Sequence, residues 1–118
     1  MAVGELLSLR IEAGSYGPTV RVSGDIDIES APRLQECLAS LADQPVVAVD
    51  LTDVPFVQSS GIGVLVAEHK RRVATGGQLV ITGSSPLALR VFELTGVDRV
   101  LNLDGDAPAA DAESPPAT

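Results

Sequence analysis

Hydrophobic and polar residues alternate in two short segments near the start of the chain, LLSLRIEA at 6–13 and TVRVSG at 19–24. This period of two residues predicts β-strands that each bury one face. Gly14, Gly17 and Pro18 lie between the two segments and favour a turn. We therefore predict that the two strands form an antiparallel pair.

Two later segments, PVVAVDL at 45–51 and QLVIT at 78–82, are apolar at nearly every position. Such runs are typical of central strands that helices cover on both faces. The expected positions of these strands are therefore the middle of a sheet rather than its edge.

Three other segments have the period of a helix. Ser30 stands where it would cap the first, the second ends at Gly76–Gly77, and the third runs from Pro86 to Gly96. Lys70, Arg71 and Arg72 are expected to face solvent on the second helix. The apolar stripes are Leu34, Cys37, Leu38 and Leu41 in the first helix, Ile62, Leu65, Val66, His69 and Val73 in the second, and Leu87, Val91 and Leu94 in the third.

The predicted order is β-β-α-β-α-β-α, followed by a short strand at VLNL, 100–103. Helices between buried strands imply right-handed crossovers, so we predict one α/β domain whose mixed β-sheet is parallel at its centre. The length of 118 residues fits a single domain. From Asp104 onward there are four acidic residues, three prolines and no apolar spacing, so we predict the domain at 1–103 and a disordered acidic tail at 104–118.

The formal net charge of -8 argues against a nucleic acid as partner, because a phosphate backbone would be repelled. No apolar run approaches the roughly 20 residues that span a bilayer, so we expect no membrane partner and a cytoplasmic location. Cys37 is the only cysteine, which excludes an internal disulfide and any multi-cysteine metal site. Its place in an apolar stripe favours a buried small hydrophobe over a reactive thiol.

The stretch FVQSSGIG at 56–63 is the strongest candidate for a site, because it follows the central strand and opens the second helix. Loops at that edge of an α/β sheet are where ligands and partners usually bind. A serine before a helix is most often an N-cap, but a cap needs one hydroxyl and this turn has two. Gly61 also permits a close approach to the backbone, and free helix amides favour an anion.

Catalysis at this turn is poorly supported. The only histidine, His69, lies about two helical turns further on, and Val57 occupies the position of the first glycine in a G-x-S-x-G elbow. The phosphate-binding G-x-x-x-x-G-K-[ST] loop is absent. Turn and cap roles explain the aspartates that could otherwise hold magnesium, so we expect no enzyme, metal or cofactor. Those aspartates are Asp25, Asp27, Asp50 and Asp53.

Three segments in order, at 24–34, 46–66 and 82–103, resemble the signature blocks of the STAS domain in its branch of bacterial anti-sigma factor antagonists. They read GDIDIESAPRL, VVAVDLTDVPFVQSSGIGVLV and TGSSPLALRVFELTGVDRVLNL. The resemblance covers residues 5–103. It implies a monomer or weak dimer that binds an anti-sigma factor serine kinase and so frees a sigma factor. Phosphorylation by that kinase then ends the binding, and a serine phosphatase restores it.

The resemblance also assigns residues. The acceptor in the family is the first serine of an Asp-Ser-Ser/Thr-Gly turn, which here is Ser59, and Ser60 is then expected to cap the helix. The family's acidic pair before the first helix corresponds to Asp25 and Asp27. The residues expected to contact the partner are Asp25, Asp27, Gln58, Ser59, Ser60, Gly61 and Ile62.

One position departs from the family, because Gln58 replaces the aspartate before the serines. Glutamine keeps the hydrogen-bonding capacity but loses a charge that interacts with the helix dipole by roughly 0.3–1 kcal/mol. This leaves an alternative open: a STAS module that is never phosphorylated and serves as a structural subunit of a transporter or a signalling scaffold.

Overall fold

The structure, a computed structural model, describes residues 7–103. The predicted order of elements is confirmed, with a 3₁₀ turn at Val97–Arg99 before the last strand. The strands are β1 Ser8–Gly14, β2 Gly17–Ser23, β3 Val46–Asp53, β4 Gln78–Ser84 and β5 Asn102–Leu103. The helices are α1 Ala31–Ala39, α2 Ser59–Ala74 and α3 Pro86–Thr95. The predicted tail at 104–118 lies outside the described residues.

The strands form one sheet in the order β1-β2-β3-β4-β5. β1 pairs antiparallel with β2 across a two-residue turn, whereas β2, β3, β4 and β5 run parallel to one another. The predicted hairpin and the predicted parallel centre are both confirmed. The strand order advances in one direction only, so right-handed crossovers place all three helices on the same face.

The hydrophobic core agrees with helices on one face of the sheet. Val47 and Val49 of β3 belong to the core cluster together with Leu34 of α1, Leu65 of α2 and Phe92 of α3. Residues of the opposite sheet face, such as Ala48 and Val80, are also buried but lie outside that cluster. The expectation that helices cover the central strands on both faces is therefore wrong for residues 7–103. Small and β-branched residues make these strands apolar throughout without a second helical layer.

The last turn of α2 differs from its prediction. Arg72, expected to face solvent, is 2% exposed, and the predicted stripe residue Val73 is 53% exposed. The guanidinium of Arg72 donates to the carbonyl oxygens of Leu38 at 3.0 Å and Leu41 at 3.1 Å, near the end of α1. Both carbonyls also accept a backbone N–H, that of Leu38 from Leu41 and that of Leu41 from Gln44. The buried guanidinium adds a charge-assisted hydrogen bond to each of them at the carboxyl end of α1, where the helix dipole favours a cation.

Arg72 is also paired with a buried acid. Its Nε lies 3.0 Å from Oε2 of Glu68, an ion pair whose alignment falls short of a hydrogen bond. Glu68 is 6% exposed and also accepts a hydrogen bond from the exposed Arg71. Two charges are thus buried between α1 and α2 with partners, which is the condition under which burial is tolerated.

The helix ends and the cysteine follow the sequence more closely. Gly96 caps α3 with a left-handed φ of 78°, and Gly76 has φ 88° just beyond α2, conformations that suit glycine. Cys37 is partly buried against the core, and this burial raises the pKa of its thiol. The prediction of an inert, packed cysteine agrees with that environment.

Candidate functional site

Two loops lie side by side at the carboxyl edge of the sheet. The acidic loop, residues 24–30, follows β2, and the serine turn, residues 54–60, follows β3. The N–H of Ile26 donates to the carbonyl of Phe56 at 2.9 Å, and the N–H of Gln58 donates to the carbonyl of Ile26 at 2.8 Å. Ile26 and Val57 form an isolated parallel bridge. Backbone bonds therefore hold the two loops together beyond the ends of their strands.

Gln58 adds a side-chain link between the loops. Its Oε1 accepts the N–H of Ile28 at 3.1 Å, across the gap from the serine turn to the acidic loop. Its extended backbone, with φ -88° and ψ 169°, makes it the N-cap residue of α2, although its side chain does not cap. Its carbonyl accepts the N–H groups of Gly61 and Ile62 and so begins the helix.

The two serines occupy different environments. Ser59 is the first residue of α2 and is exposed, whereas Ser60 is partly buried. Within residues 7–103, the Oγ of Ser60 is buried and has no hydrogen-bond partner. The expectation that Ser60 caps the helix is wrong, because α2 begins at Ser59. A cap hydroxyl must stand on a residue outside the helix, and Ser60 is already inside its first turn.

Gly61 and Ile62 shape the turn from within. A Cβ on Gly61 would lie 2.4 Å from Cγ2 of Ile26, far closer than van der Waals contact. The close approach expected at this glycine thus comes from the acidic loop of the same chain. Ile62 is 8% exposed and belongs to the core. Neither residue presents a large exposed side chain at this edge of the sheet.

Asp27 organises the acidic loop. Its Oδ1 accepts the N–H groups of Ser30 at 2.9 Å and Glu29 at 3.0 Å, and its carbonyl accepts the N–H of Ala31. The hydrogen bonds from Ser30, followed by the one from Glu29, hold the pKa of Asp27 below its usual value. Asp27 therefore keeps its charge at the start of α1.

Ser30 does not cap α1, contrary to the sequence prediction. Its backbone is already helical, and its Oγ accepts the N–H of Asp27 at 2.9 Å. The hydroxyl lies 3.0 Å from both the carbonyl of Asp25 and Oδ1 of Asp27, so its one hydrogen bonds to either. The capping role has moved three residues earlier, to Asp27, and Asp25 stands next to it with a half-buried side chain.

Two exposed apolar residues flank the serines and were missed from the sequence. Ile28 in the acidic loop is 72% exposed, and Phe56 in the serine turn is 42% exposed. The sequence signal at Ile28 was the repeat DIDI, whose alternation is typical of a strand with both isoleucines on one face. In the structure the chain turns after Asp27, so Ile26 is buried and Ile28 is exposed. Ile28, Phe56 and Ser59 form what we call the loop patch.

Asp50 and His69, considered for metal binding and catalysis, bond to other parts of the fold. Asp50 bonds to Arg21 at 3.0 Å and to the hydroxyl of Thr52 at 2.6 Å. Burial alone would raise the pKa of Asp50, but the bonds from Thr52 and the charge of Arg21 outweigh it and lower that pKa. Nδ1 of His69 accepts the N–H of Leu79 at 3.3 Å, so this ring serves β4. Across residues 7–103, no group of three or more His, Cys, Asp or Glu side chains is placed to hold a metal ion.

The domain thus combines a five-stranded mixed sheet with an exposed Ser59 at the start of α2, next to two loops that bond to each other. The sequence profile of the STAS domain matches residues 11–110. This chain belongs to the STAS domain family. The match extends past residue 103, where the sequence predicts the domain to end, and that boundary stays a prediction.

Relatives of known role carry the same domain. The anti-sigma-B factor antagonist of Bacillus subtilis (strain 168) is 35% identical over 85 residues, which cover 71% of this chain and 78% of that protein. The anti-sigma-B factor antagonist of Listeria monocytogenes (strain EGD-e) is 33% identical over 90 residues, covering 72% and 79%. These relatives are anti-sigma factor antagonists.

Solved structures agree on the fold. An anti-sigma factor antagonist from Mycobacterium paratuberculosis superimposes with a TM-score of 0.74 at 26% identity, covering 83% of this chain and 85% of that one. The unphosphorylated form of the anti-sigma factor antagonist SpoIIAA superimposes with a TM-score of 0.68 at 17% identity, covering 81% and 87%, a likeness of fold alone. Within the described range, none of the helices is both long and apolar enough to span a membrane.

Proposed function

We propose that this protein is an anti-sigma factor antagonist of the cytoplasm, which acts by binding an anti-sigma factor serine kinase and is switched off by phosphorylation of Ser59. The observation that carries the proposal is the exposed Ser59 at the first residue of α2, beside loops that are fixed in place. A kinase needs an accessible hydroxyl, and a binding partner needs a surface of defined shape. This edge of the sheet provides both.

The partner surface that we propose is the loop patch with the two aspartates beside it. Ile28 and Phe56 supply exposed apolar area, which contributes roughly 25 cal/mol per Å² when a partner covers it. Asp25 and Asp27 add negative charge that favours a basic partner surface and speeds its encounter. Gln58, Ser60, Gly61 and Ile62 then act through the shape of the turn, consistent with their positions in the structure.

Phosphate on Ser59 would act at the interface rather than on the fold. A phosphoryl group adds about -1.5 to -2 charges and three acceptor oxygens, and a helix N-terminus accommodates such an anion. The domain is therefore expected to remain folded. Weakening a complex from about micromolar to about millimolar takes roughly 4 kcal/mol, a magnitude that a dianion buried against an interface shaped for a hydroxyl supplies. A serine phosphatase would then restore the binding form.

Gln58 favours a second candidate. The family's aspartate at this position is absent, so the charge next to the acceptor is reduced by one. A STAS module that is never phosphorylated would keep the bond from Gln58 to Ile28 and use the turn as a contact surface only. Such a module would serve as a structural subunit of a transporter or a signalling scaffold.

The test combines binding with site mapping. The protein is incubated with the anti-sigma kinases of its source organism and ATP, and phosphosites are mapped by mass spectrometry. We expect phosphate on Ser59, persistent binding by Ser59→Ala, and weak binding by Ser59→Asp. Ser40→Ala, a change at an exposed serine beyond α1, is the matched control and is expected to leave both properties unchanged.

Two outcomes would redirect the proposal. Phosphate on Ser60 would reverse the assignment of the serines. Failure of every kinase to bind, together with recovery of transporter or scaffold subunits in a pull-down, would favour the second candidate.

A further inference from the structure

Strand β1 leaves one of its edges open. It pairs with β2 in an unbroken register from Ser8–Ser23 to Gly14–Gly17, and within residues 7–103 no strand pairs with its other side. Natural edge strands are usually protected by proline, a bulge or charged side chains, and between Ser8 and Gly14 β1 has only the charged residues Arg10 and Glu12. An edge without proline or a bulge is a template for a strand of complementary charge.

The hairpin fixes which backbone groups point outward. A two-residue turn makes Gly14–Gly17 a hydrogen-bonded pair, and bonded pairs then alternate along an antiparallel ladder. Pro18, which lacks an N–H, falls at a non-bonded position opposite Ala13, in agreement with this alternation. The N–H and C=O groups that face away from β2 are therefore those of Leu9, Ile11 and Ala13.

A second copy of β1 fits this edge in one register. If two copies pair antiparallel about Ile11, Arg10 of each lies opposite Glu12 of the other, and the full lengths of both strands overlap. Within one copy Glu12 already pairs with Arg10 at 2.8 Å and with Arg21 at 2.9 Å, so the contact between copies joins two existing charge clusters. Centring on Arg10 or on Glu12 instead would oppose like charges, and centring on Leu9 or Ala13 would lose the charge pairing and shorten the overlap. Opposite charges across strands stabilise a pair by a few tenths to about 1 kcal/mol, and like charges destabilise it.

The exposure of Ile11 agrees with this register. Ile11 lies on the same sheet face as its neighbour Val20, which is fully buried, yet it is 49% exposed because β1 is at the edge of the sheet. Pairing about Ile11 would bring the two copies of this side chain together and cover them. The strand thus offers complementary charge on one face and an exposed apolar residue on the other.

We propose that this chain self-associates by antiparallel pairing of β1 with β1 of a second copy, in the register centred on Ile11. A contact of one strand per copy is well below the roughly 1,200 Å² of standard interfaces, so the dimer is weak and reversible. The two sheets become one continuous sheet with the helices of both copies on the same face. Because the copies run in opposite directions, their Ser59 turns lie at opposite ends and both stay open to a partner.

The first test is sedimentation of the wild-type chain up to about millimolar concentration, which we expect to show a monomer–dimer equilibrium. Ile11→Lys places a charge at the centre of the contact and is expected to weaken association by at least about tenfold. Val73→Lys, a change at a similarly exposed apolar residue on α2, is the matched control and is expected to have no effect. Thermal unfolding confirms that each variant is folded.

The second test uses charge reversal. Arg10→Glu makes both contacts of its own dimer acidic, and Glu12→Arg makes both contacts basic, so each variant alone is expected to be monomeric. An equimolar mixture restores opposite charges at both contacts and is expected to dimerise. A monomeric wild type throughout the concentration range would overturn the proposal. So would a dimer that Ile11→Lys leaves intact, or a mixture of folded variants that does not associate.

Discussion

The two ends of helix α2 use polar side chains in opposite ways. At its carboxyl end Arg72 is buried and its guanidinium bonds to several carbonyl oxygens, with the buried Glu68 alongside. At its amino end Ser59 is exposed, and the Oγ of Ser60 has no hydrogen-bond partner among the described residues. The buried side chains at the carboxyl end bond within the fold, whereas the serine hydroxyls at the amino end keep hydrogen-bonding capacity that the fold does not use. Spare capacity at one end of a well-anchored helix is where a binding function can be placed without loss of stability.

The largest effect is expected at the anchored end. Arg72→Met would remove the guanidinium bonds to the carbonyls of Leu38, Leu41 and Gln44 and leave Glu68 buried with only Arg71. We therefore expect a loss of about 3 kcal/mol or more of unfolding free energy. Urea denaturation measures it. Arg71→Met, at the exposed partner of Glu68, is the control and is expected to lose at most about 1 kcal/mol. Equal losses in the two variants would mean that the buried pair does not anchor α2.

A smaller effect is expected where α2 meets the acidic loop. Gly61→Ala would press a methyl group against Ile26, and overpacking of this kind typically costs about 1–3 kcal/mol. Gly63→Ala is the matched control, since a Cβ there meets nothing within 4 Å. Alanine in an exposed helical position is expected to raise stability by up to about 1 kcal/mol. Thermal unfolding measures both variants. Equal stability of Gly61→Ala and Gly63→Ala would contradict the close contact between Gly61 and Ile26.

Alanine substitutions of the serines at the starts of α2 and α3 are expected to change stability in opposite directions. Ser60→Ala removes a buried hydroxyl without a partner and is expected to leave stability unchanged or to raise it by up to about 1 kcal/mol. Ser85→Ala is expected to lower it by about 1–2 kcal/mol, because Ser85 caps α3 by accepting from the N–H of Ala88 and donates to the carbonyl of Val54. Chemical denaturation compares the two. A clear loss in Ser60→Ala would show that its hydroxyl is bonded after all.

The smallest effect concerns pH. The pKa of Asp27 is lowered in the folded chain, so its contribution to stability is complete above the unfolded value of about 3.9 and is lost as pH falls through the folded value. Asp27→Asn keeps the acceptor oxygen of the turn but does not titrate. We expect melting temperatures between pH 2 and 6 to fall less steeply with acid in Asp27→Asn than in the wild type. Parallel curves would show that Asp27 is not linked to folding.

The sequence predicted the elements well because period and punctuation are local. The alternation around Leu9 and Val22 and the glycines after α2 and α3 identify strands and helix ends without tertiary information. Ser30 and Ser60 were misassigned because a cap depends on where the helical backbone begins, and in both places it begins earlier than the pattern indicates. The N-terminal role lies three residues before Ser30, at Asp27, and two residues before Ser60, at Gln58.

Other features depended on contacts that no local pattern contains. Arg72 lies on the charged side of its segment, and its burial follows from the end of α1, some thirty residues earlier in the chain. The hydrogen bond from Ile28 to Gln58 likewise joins two separate loops. The sequence shows that glutamine replaces the family's aspartate at this position, but it does not show the bond that the glutamine makes. The placement of all helices on one face follows from strand order, which the apolar runs did not specify.

The bridge between Ile26 and Val57, with the bond from Gln58 to Ile28, has a thermodynamic consequence. Loops that are already joined lose little conformational entropy when a partner covers them. Calorimetry of complex formation is then expected to give a heat-capacity change that matches the apolar contact area alone, without the excess that accompanies folding on binding. A surface of this kind exchanges partners by gaining or losing contacts, and its backbone stays in place while it does so.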